Sequence, residues 1–223
     1  MLDTAQPFAG DKKKGKPFLY KAEKYVQSFV PYVPAYIETY HLTASTVVWS
    51  CFIVIFGFLS QYDIQWLWGV SIMILLQWVT DTLDGAVGRT RNTGLIKWGY
   101  YMDHFLDYIF MASVFIAYSF IVEDHFKYLL FFVLALYGGF IVNTYLAFSV
   151  TNEFTYTYFR IGPTEARLLF IVLNTLLIVF GKTYMGWSLP FVIISALLGL
   201  IAVVYQTQKC IWKMDMDKKC KEL

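Results

Sequence analysis

The sequence has few charged residues and few residues of the kind that bind soft metals. Charged side chains make up 15% of its 223 residues and hydrophobic ones 58%, far more apolar residues than the core of a soluble domain of this length needs. The three cysteines show neither the spacing of a zinc site nor that of a disulfide framework. These absences argue against a soluble globular protein, a disulfide-rich secreted domain and a cysteine-based metal centre.

The first residues of the sequence do not have the pattern of a secretory signal peptide. Residues 1–24 are charged and contain no apolar stretch, so we expect no cleavable signal peptide. Residues 17–41 mix aromatic residues with lysines and prolines, a composition typical of an amphipathic segment lying at a membrane interface. We therefore expect residues 1–43 to form a basic cytoplasmic tail followed by an interfacial segment.

Long apolar stretches dominate the remainder. Six of them approach the roughly 20 residues that a membrane-spanning helix needs. They lie at 44–62, 65–83, 99–121, 127–149, 165–182 and 187–207. The sequence therefore predicts an all-α, polytopic membrane protein with a six-helix catalytic domain over 44–207 and a basic tail over 208–223.

Basic residues are concentrated on one side of the predicted spans. They precede the first span, follow the second, lie between the fourth and fifth as Arg160 and Arg167, and recur in the tail, whereas the opposite loops hold only Lys127 and Lys182. The positive-inside rule then puts both termini and the loop after the second span in the cytoplasm. We expect an integral multi-pass protein of a bacterial inner membrane or of the endoplasmic reticulum.

Four aspartates interrupt the apolar sequence at the end of the second span and the start of the third. Asp81 and Asp84 are three residues apart, and Asp103 and Asp107 four apart, so each pair projects from one face of its helix. A carboxylate in a membrane helix costs roughly 2.5–3.5 kcal/mol, which indicates a nearby cation or polar cavity. Oxygen ligands without cysteine or a histidine cluster favour Mg²⁺ or Mn²⁺ over Zn²⁺. The sequence therefore predicts a metal site.

The segment 84–98, which we expect to be a loop, separates the two pairs. It contains glycines and basic residues, namely Gly85, Gly88, Arg89, Arg91, Gly94 and Lys97. Glycine lets the backbone approach a ligand closely, and basic side chains neutralise phosphate. The pattern predicts a diphosphate bridged by metal as the ligand.

This region resembles the signature of the CDP-alcohol phosphotransferase family, which reads Asp-x-x-Asp-Gly-x-x-Ala-Arg and, about eight residues later, Gly-x-x-x-Asp-x-x-x-Asp. Seven of its eight fixed positions are matched, by Asp81, Asp84, Gly85, Arg89, Gly99, Asp103 and Asp107. Gly88 replaces the alanine, and nine residues separate Arg89 from Gly99. The longer spacer leaves Arg89 and Arg91 as alternatives for the arginine that contacts the nucleotide.

The resemblance implies a phospholipid-synthesis enzyme that transfers a substituted phosphate from a CDP-alcohol to an acceptor hydroxyl and releases CMP. It implies that Mg²⁺ or Mn²⁺ is held by Asp81, Asp84, Asp103 and Asp107. Asp107 is also a candidate base. The residues implied to contact the CDP moiety are Gly85, Gly88, Arg89 and Gly99. The implied partners are the CDP-alcohol donor, a lipid or alcohol acceptor, membrane lipids and a second copy of the chain. We expect no nucleic acid partner.

Two further features resemble the choline and ethanolamine phosphotransferase branch. His104 directly follows Asp103, and the turn Gly162-Pro163-Thr164-Glu165 precedes the fifth span. The likeness implies that His104 and Glu165 activate a diacylglycerol hydroxyl. The same turn is also an ordinary helix start, with proline and an acidic residue in the first turn. The base therefore stays open between Asp107 and the pair His104 and Glu165.

Two other functions are compatible with parts of the pattern. One is a CDP-diacylglycerol-dependent phosphatidyltransferase with a polar alcohol acceptor. The other is an ion-binding membrane transporter, because intramembrane carboxylates also mark ion pathways. The clustering of the aspartates near one membrane face and the lack of an inverted repeat of the motif favour an enzyme.

Overall fold

The computed structural model describes residues 19–93, 95–152, 162–181 and 183–221, and within these ranges it consists of α-helices and short 3₁₀ turns without a strand. The helices are α1 (Tyr20–Gln27), α2 (Thr39–Leu59), α3 (Leu67–Arg91), α4 (Ile96–Ser119), α5 (Lys127–Thr151), α6 (Pro163–Phe180) and α7 (Thr183–Lys221). The all-α prediction is confirmed. The predicted tail up to residue 18, together with Gly94, Arg160 and Lys182, lies outside the described residues.

Five of these helices, α2, α3, α5, α6 and α7, are long and apolar enough to cross a membrane, so the chain is a polytopic membrane protein. The remaining long helix, α4, is less apolar because its first half carries Lys97, Asp103, His104 and Asp107. Its 24 residues extend over about 36 Å, longer than the hydrocarbon core of a bilayer is thick. That α4 is the sixth crossing helix stays a prediction.

Helix α3 is longer than predicted, which corrects the loop expected over 84–98. The helix continues to Arg91, so Gly85, Gly88 and Arg89 lie on its last turns. It ends where Asn92 adopts a left-handed conformation, with φ 54°, and donates its N–H to the carbonyl of Gly88. Hydropathy marks where the apolar sequence stops, but the backbone hydrogen bonds of a helix continue through polar turns.

Helix α2 packs against both α3 and α4 along much of its length. Ile53, Val70, Ile74 and Val114 are completely buried between them. Gly57 of α2 lies so close to Ala117 of α4 that a Cβ on the glycine would overlap the alanine side chain and backbone. Small residues allow this close approach of helices, which a bilayer favours because lipid offers no hydrophobic driving force between them.

A buried hydrogen-bonded network fixes α6 against this group. Asn174 of α6 is completely buried and accepts a hydrogen bond from the Tyr118 hydroxyl of α4 at 2.8 Å. Its amide donates to the Ser71 hydroxyl of α3 at 3.0 Å. Arg167 lies seven residues before Asn174, two helical turns away, and therefore projects from nearly the same face of α6. The network thus holds Arg167 towards α3 and α4.

Helices α5 and α7 form a second, more loosely covered pair. Gly139 of α5 faces the Leu200 side chain of α7, and the Asn143 amide lies 3.4 Å from the Thr207 hydroxyl. Helix α7 continues to Lys221, past the predicted end of the sixth span at residue 207. Helix α1 is short and packs on α3. Its predicted place at the membrane interface stays a prediction.

Candidate active site

The four aspartates named from the sequence line a single cavity of about 900 Å³. Asp81 and Asp84 enter it from α3, and Asp103 and Asp107 from α4. Spacings of three and four residues place each pair on one helix face, and the packing of the helices brings both faces to the same cavity. The predicted juxtaposition of the two carboxylate pairs is therefore present.

Two of these carboxylates have neutral or weakly basic partners. Thr43 of α2 donates its hydroxyl to Asp84 Oδ2 at 2.5 Å, and Asp84 is only 9% exposed. Nδ1 of His104 lies 3.3 Å from Asp103 Oδ2. A buried carboxylate needs such partners, because a charge removed from water is costly unless it is hydrogen-bonded or paired.

The other two carboxylates share one arginine that sequence reasoning did not place in the site. Nη1 of Arg167 lies 3.1 Å from Asp81 Oδ2, and Nη2 lies 2.7 Å from Asp107 Oδ1. Arg167 is 4% exposed, and its guanidinium carbon lies 5.5 Å from the centre of the Phe110 ring. A lone arginine at the start of an apolar span, in a chain with intramembrane aspartates, was the available sequence signal.

The glycines and Arg89 also reach the cavity, although they lie on helix ends. Gly85, Gly88, Arg89 and Gly99 line it. At Gly85 a Cβ would lie 3.1 Å from Nη1 of Arg89, so the glycine leaves room for this side chain. The predicted contact of these residues with a CDP moiety stays a prediction.

Arg91, the alternative to Arg89, points elsewhere. Its guanidinium donates to the carbonyls of Ile37 and Val33, both at 2.7 Å, and to that of Pro34 at 3.2 Å. It therefore ties the end of α3 to the segment that precedes α2. Of the two arginines, Arg89 is the one among the residues that line the cavity.

Glu165 faces helix α1. Its Oε1 accepts the N–H of Leu19 at 2.9 Å, and its Oε2 accepts the N–H of Gly162 at 2.8 Å. The neighbouring Thr164 donates its hydroxyl to Glu23 of α1 at 2.6 Å. Glu165 is not among the described residues that line the cavity, whereas His104 is. The structure thus does not bring together the pair predicted to activate a hydroxyl, and the role of Glu165 stays a prediction.

The chemistry of the aspartates suits a hard divalent cation, since they supply only oxygen ligands. Among the described residues, however, no group of three His, Cys, Asp or Glu side chains is arranged closely enough to hold a metal ion. Arg167 lies between Asp81 and Asp107, and Thr43 and His104 contact the other two aspartates. The residues fit the predicted metal in type, and Arg167 contacts one oxygen of each of two of them.

The remaining walls of the cavity are largely apolar and aromatic. Helix α5 contributes Tyr137, Phe140 and Tyr145, and helix α7 contributes Ala196 and Gly199. The described lining residues include two arginines, Arg89 and Arg167, and no lysine. The cavity therefore has an acidic end, formed by the aspartates where α3 ends and α4 begins, and an apolar wall formed by α5 and α7.

Comparison with known protein families matches residues 40–204 to the CDP-alcohol phosphatidyltransferase family. The match includes all four aspartates, Arg89, His104, Glu165 and Arg167, and it covers most of the chain. Comparison with curated proteins and with solved structures gave no match. The aspartates have the spacing of the family signature and converge on one cavity. Members of the matched family are membrane transferases of phospholipid synthesis that take a substituted phosphate from a CDP-alcohol. Because the match covers most of the chain, the chain belongs to the CDP-alcohol phosphatidyltransferase family.

Proposed function

We propose that the donor is CDP-choline or CDP-ethanolamine and that the acceptor is diacylglycerol. The observation that carries this proposal is the apolar wall of the cavity. Phe140 and Ile141 of α5 and Ala196 and Gly199 of α7 line the same space as the aspartates. Because α5 and α7 are also the helices least covered by the protein, this wall offers a lipid acceptor a short path from the bilayer to the carboxylates.

The small number of cationic side chains in the cavity also supports diacylglycerol as the acceptor. A polar acceptor that carries a phosphate, such as inositol phosphate or glycerol phosphate, requires basic groups in addition to those that hold the donor. The described lining residues include two guanidinium groups, those of Arg89 and Arg167. With Arg89 on the donor diphosphate, one guanidinium remains for an acceptor phosphate, and diacylglycerol needs none.

The proposed metal is Mg²⁺ or Mn²⁺, held by Asp81, Asp84, Asp103 and Asp107. When bound, such a metal neutralises the diphosphate and the phosphate of the departing CMP. We propose that Gly85, Gly88 and Gly99 allow the CDP moiety to approach the ends of α3 and α4, and that Arg89 contacts its phosphates. These residues line the acidic end of the cavity.

The proposed reaction moves one substituted phosphate. The acceptor oxygen forms a bond to the β-phosphorus, the bond from that phosphorus to the bridging oxygen breaks, and CMP leaves with the electron pair. The hydroxyl proton passes to a base. His104 is one candidate, because a contact of its Nδ1 with Asp103 favours the tautomer whose Nε2 accepts a proton. Asp107, whose carboxylate lies in the same cavity, is the other.

For Glu165 the contacts support a positioning role. Both of its oxygens accept backbone N–H groups, one of which belongs to Leu19 immediately before α1. Together with the bond from Thr164 to Glu23, they hold α1 against the start of α6. Because Glu23 and Gln27 of α1 line the cavity, Glu165 would shape one of its walls through α1.

We also propose that the acidic end of the cavity faces the cytoplasm and that the protein functions as a homodimer. The distribution of lysine and arginine supports the first proposal. The large apolar surface of α5 and α7 is compatible with a second copy as well as with lipid. A cysteine introduced at Thr93 should react with impermeant reagents from the cytoplasmic side only, and one at Glu123 from the opposite side only.

The substrate is tested by measuring CMP release in detergent with Mg²⁺. Each of CDP-choline, CDP-ethanolamine and CDP-diacylglycerol is offered with diacylglycerol, inositol phosphate, glycerol phosphate and serine. We expect CMP only when an aminoalcohol donor meets diacylglycerol, and none from Asp103→Asn. Release of CMP only from CDP-diacylglycerol with a polar acceptor would overturn the assignment in favour of a CDP-diacylglycerol-dependent phosphatidyltransferase, for which Arg167 would be the first candidate to bind an acceptor phosphate.

A further inference from the structure

Arg167 places a guanidinium group between two carboxylates of the cavity. Its two terminal nitrogens contact one carboxylate from each of the two aspartate pairs, Asp81 at 3.1 Å and Asp107 at 2.7 Å. The side chain is 5% exposed, and its Nε has no hydrogen-bond partner among the described residues. This arginine therefore lies in the cavity with part of its hydrogen-bonding capacity unused.

The geometry is that of a guanidinium in the place of a bridging cation. Two carboxylates from different helices meet one cation between them, as two ligands of a shared metal ion would. Uncompensated carboxylates in a membrane domain repel one another and are costly to bury, so the guanidinium stabilises the domain whenever no metal is bound. The same contacts engage one oxygen of each carboxylate, and a guanidinium at this position repels a metal ion that approaches the same pair.

Helix α6 is well suited to hold such a group. The buried Asn174, bonded to Tyr118 and Ser71, fixes the middle of α6 against α4 and α3. Arg167 lies two turns nearer the N-terminus on a long, flexible side chain, so its guanidinium can leave the carboxylates while the helix stays in place. Movement of one side chain would suffice to free both oxygens.

We propose that Arg167 is a resident cation that exchanges with the divalent metal on Asp81 and Asp107: the guanidinium neutralises these carboxylates in the metal-free protein, and metal binding displaces it. This inference rests on the proposed function, because it takes these two aspartates as metal ligands. It predicts that Arg167 and the metal compete. Removing the arginine should therefore destabilise the metal-free protein and strengthen metal binding.

The experiment measures Mn²⁺ binding and thermal stability rather than turnover. Protein purified in detergent is stripped with chelator, free Mn²⁺ is followed by electron paramagnetic resonance during titration, and melting is recorded with and without Mn²⁺. We expect Arg167→Met to bind Mn²⁺ at least about tenfold more tightly than the natural protein. Its melting temperature should be lower without metal and should rise more when Mn²⁺ is added.

Arg91→Met is the matched control. It removes an equally well-bonded arginine, one whose partners are the carbonyls of Val33, Pro34 and Ile37 rather than carboxylates. It should lower the melting temperature without changing Mn²⁺ affinity. A parallel gain in affinity in both arginine variants would show a general loosening of the structure and would overturn the exchange.

Arg167→Lys covers the case in which the methionine variant folds poorly. An ammonium group keeps the charge but lacks the fork that reaches both carboxylates, so Mn²⁺ affinity should lie between those of the natural protein and Arg167→Met. A methionine variant that folds only with Mn²⁺ present supports the exchange, and one that fails with and without Mn²⁺ contradicts it. Unchanged or weaker Mn²⁺ binding in folded Arg167→Met would also contradict it.

Failure of this inference can be distinguished from failure of the proposed function. If the natural protein releases CMP with Mn²⁺ while Arg167→Met binds the metal no more tightly, only the exchange is wrong. If neither the natural protein nor Arg167→Met binds Mn²⁺, and Asp81→Asn changes nothing in the titration, the proposed metal site itself is wrong.

Discussion

Two parts of the membrane domain differ in how much of each helix the protein covers. In α2 and α3, 33% of the most apolar stretch is buried inside the protein, and in α6 22%, whereas the values are 6% for α5 and 11% for α7. We call α2, α3, α4 and α6 the site half and α5 with α7 the lipid half. All four aspartates, His104 and Arg167 belong to the site half.

This difference in burial is accompanied by a difference in the residue types of the two halves. The lipid half exposes large apolar side chains such as Phe131, Leu146, Phe191 and Leu198, for which a bilayer is a suitable solvent. The site half instead buries polar groups, several of which, such as Asp84, Arg167 and Asn174, are paired with a side chain on another helix. We therefore expect substitutions to be tolerated in the lipid half and to be damaging in the site half, even where both remove groups of similar size.

The largest expected effect is on turnover, at a carboxylate of the site half. Asp103→Asn should reduce CMP release by at least about 10²-fold, because a neutral amide neither binds a divalent metal well nor orients His104. The variant should still fold, since it removes a charge from an acidic cavity. CMP release under Mg²⁺, and its loss in excess chelator, are the measurements. Leu146→Ala on the exposed face of α5 is the control and should stay within about twofold of the natural rate.

The next effect distinguishes a direct role in proton transfer from an action through α1. His104→Ala should reduce turnover by roughly 10²–10⁴, the usual contribution of a general base. If Glu165 acts through α1, then Glu165→Gln should cause a smaller loss, and Thr164→Val, which breaks the neighbouring bond to Glu23, should reproduce it.

The double variant of His104 and Glu165 tests whether these two residues act together. A direct partnership would make His104→Ala combined with Glu165→Gln little worse than His104→Ala alone, because residues acting as a unit are not additive. Near-normal rates for both single variants, together with complete loss in Asp107→Asn, would make Asp107 the base. The aminoalcohol assignment would then lose the support it takes from the resemblance at His104 and Glu165.

Substituting one glycine in each half compares how tightly the helices of the two halves pack. Gly57→Ala should destabilise the protein by about 1–3 kcal/mol, because the added methyl overlaps the backbone and side chain of Ala117 and forces α2 away from α4. Gly139→Ala should cost less, since the methyl meets only the end of the flexible Leu200 side chain. Unfolding in detergent with increasing denaturant measures both, and equal losses would contradict the comparison.

The smallest pair of effects concerns two asparagines. Asn174→Ala leaves the Tyr118 hydroxyl and the Ser71 hydroxyl without their partner inside the site half and should cost about 1–2 kcal/mol. In the lipid half, the long contact of 3.4 Å between Asn143 and Thr207 should contribute no more than about 0.6 kcal/mol, measured as the coupling lost in Asn143→Ala combined with Thr207→Val. The same unfolding experiment applies, and a larger contribution at Asn143 would reverse the proposed division between the halves.

Local patterns in the sequence were enough to predict much of this protein. Apolar stretches of spanning length predict helices in the right order, because a helix satisfies all its backbone groups without help from the rest of the chain. Spacings of three and four residues place Asp81 with Asp84, and Asp103 with Asp107, because the helical repeat is fixed by local hydrogen bonds. The family signature could be recognised in the sequence because it consists of residue types at fixed spacings along the chain.

Tertiary structure alone decided which groups meet across helices. Arg167 lies 60 residues from Asp107 along the chain, and Glu165 lies 146 residues from Leu19, yet each pair is in contact. No local repeat encodes such pairs, since they depend on how α6 packs against α3, α4 and α1. The sequence therefore determined that four carboxylates share one end of a helical membrane domain, and the packing of α6 determined that an arginine lies between two of them while Glu165 faces away.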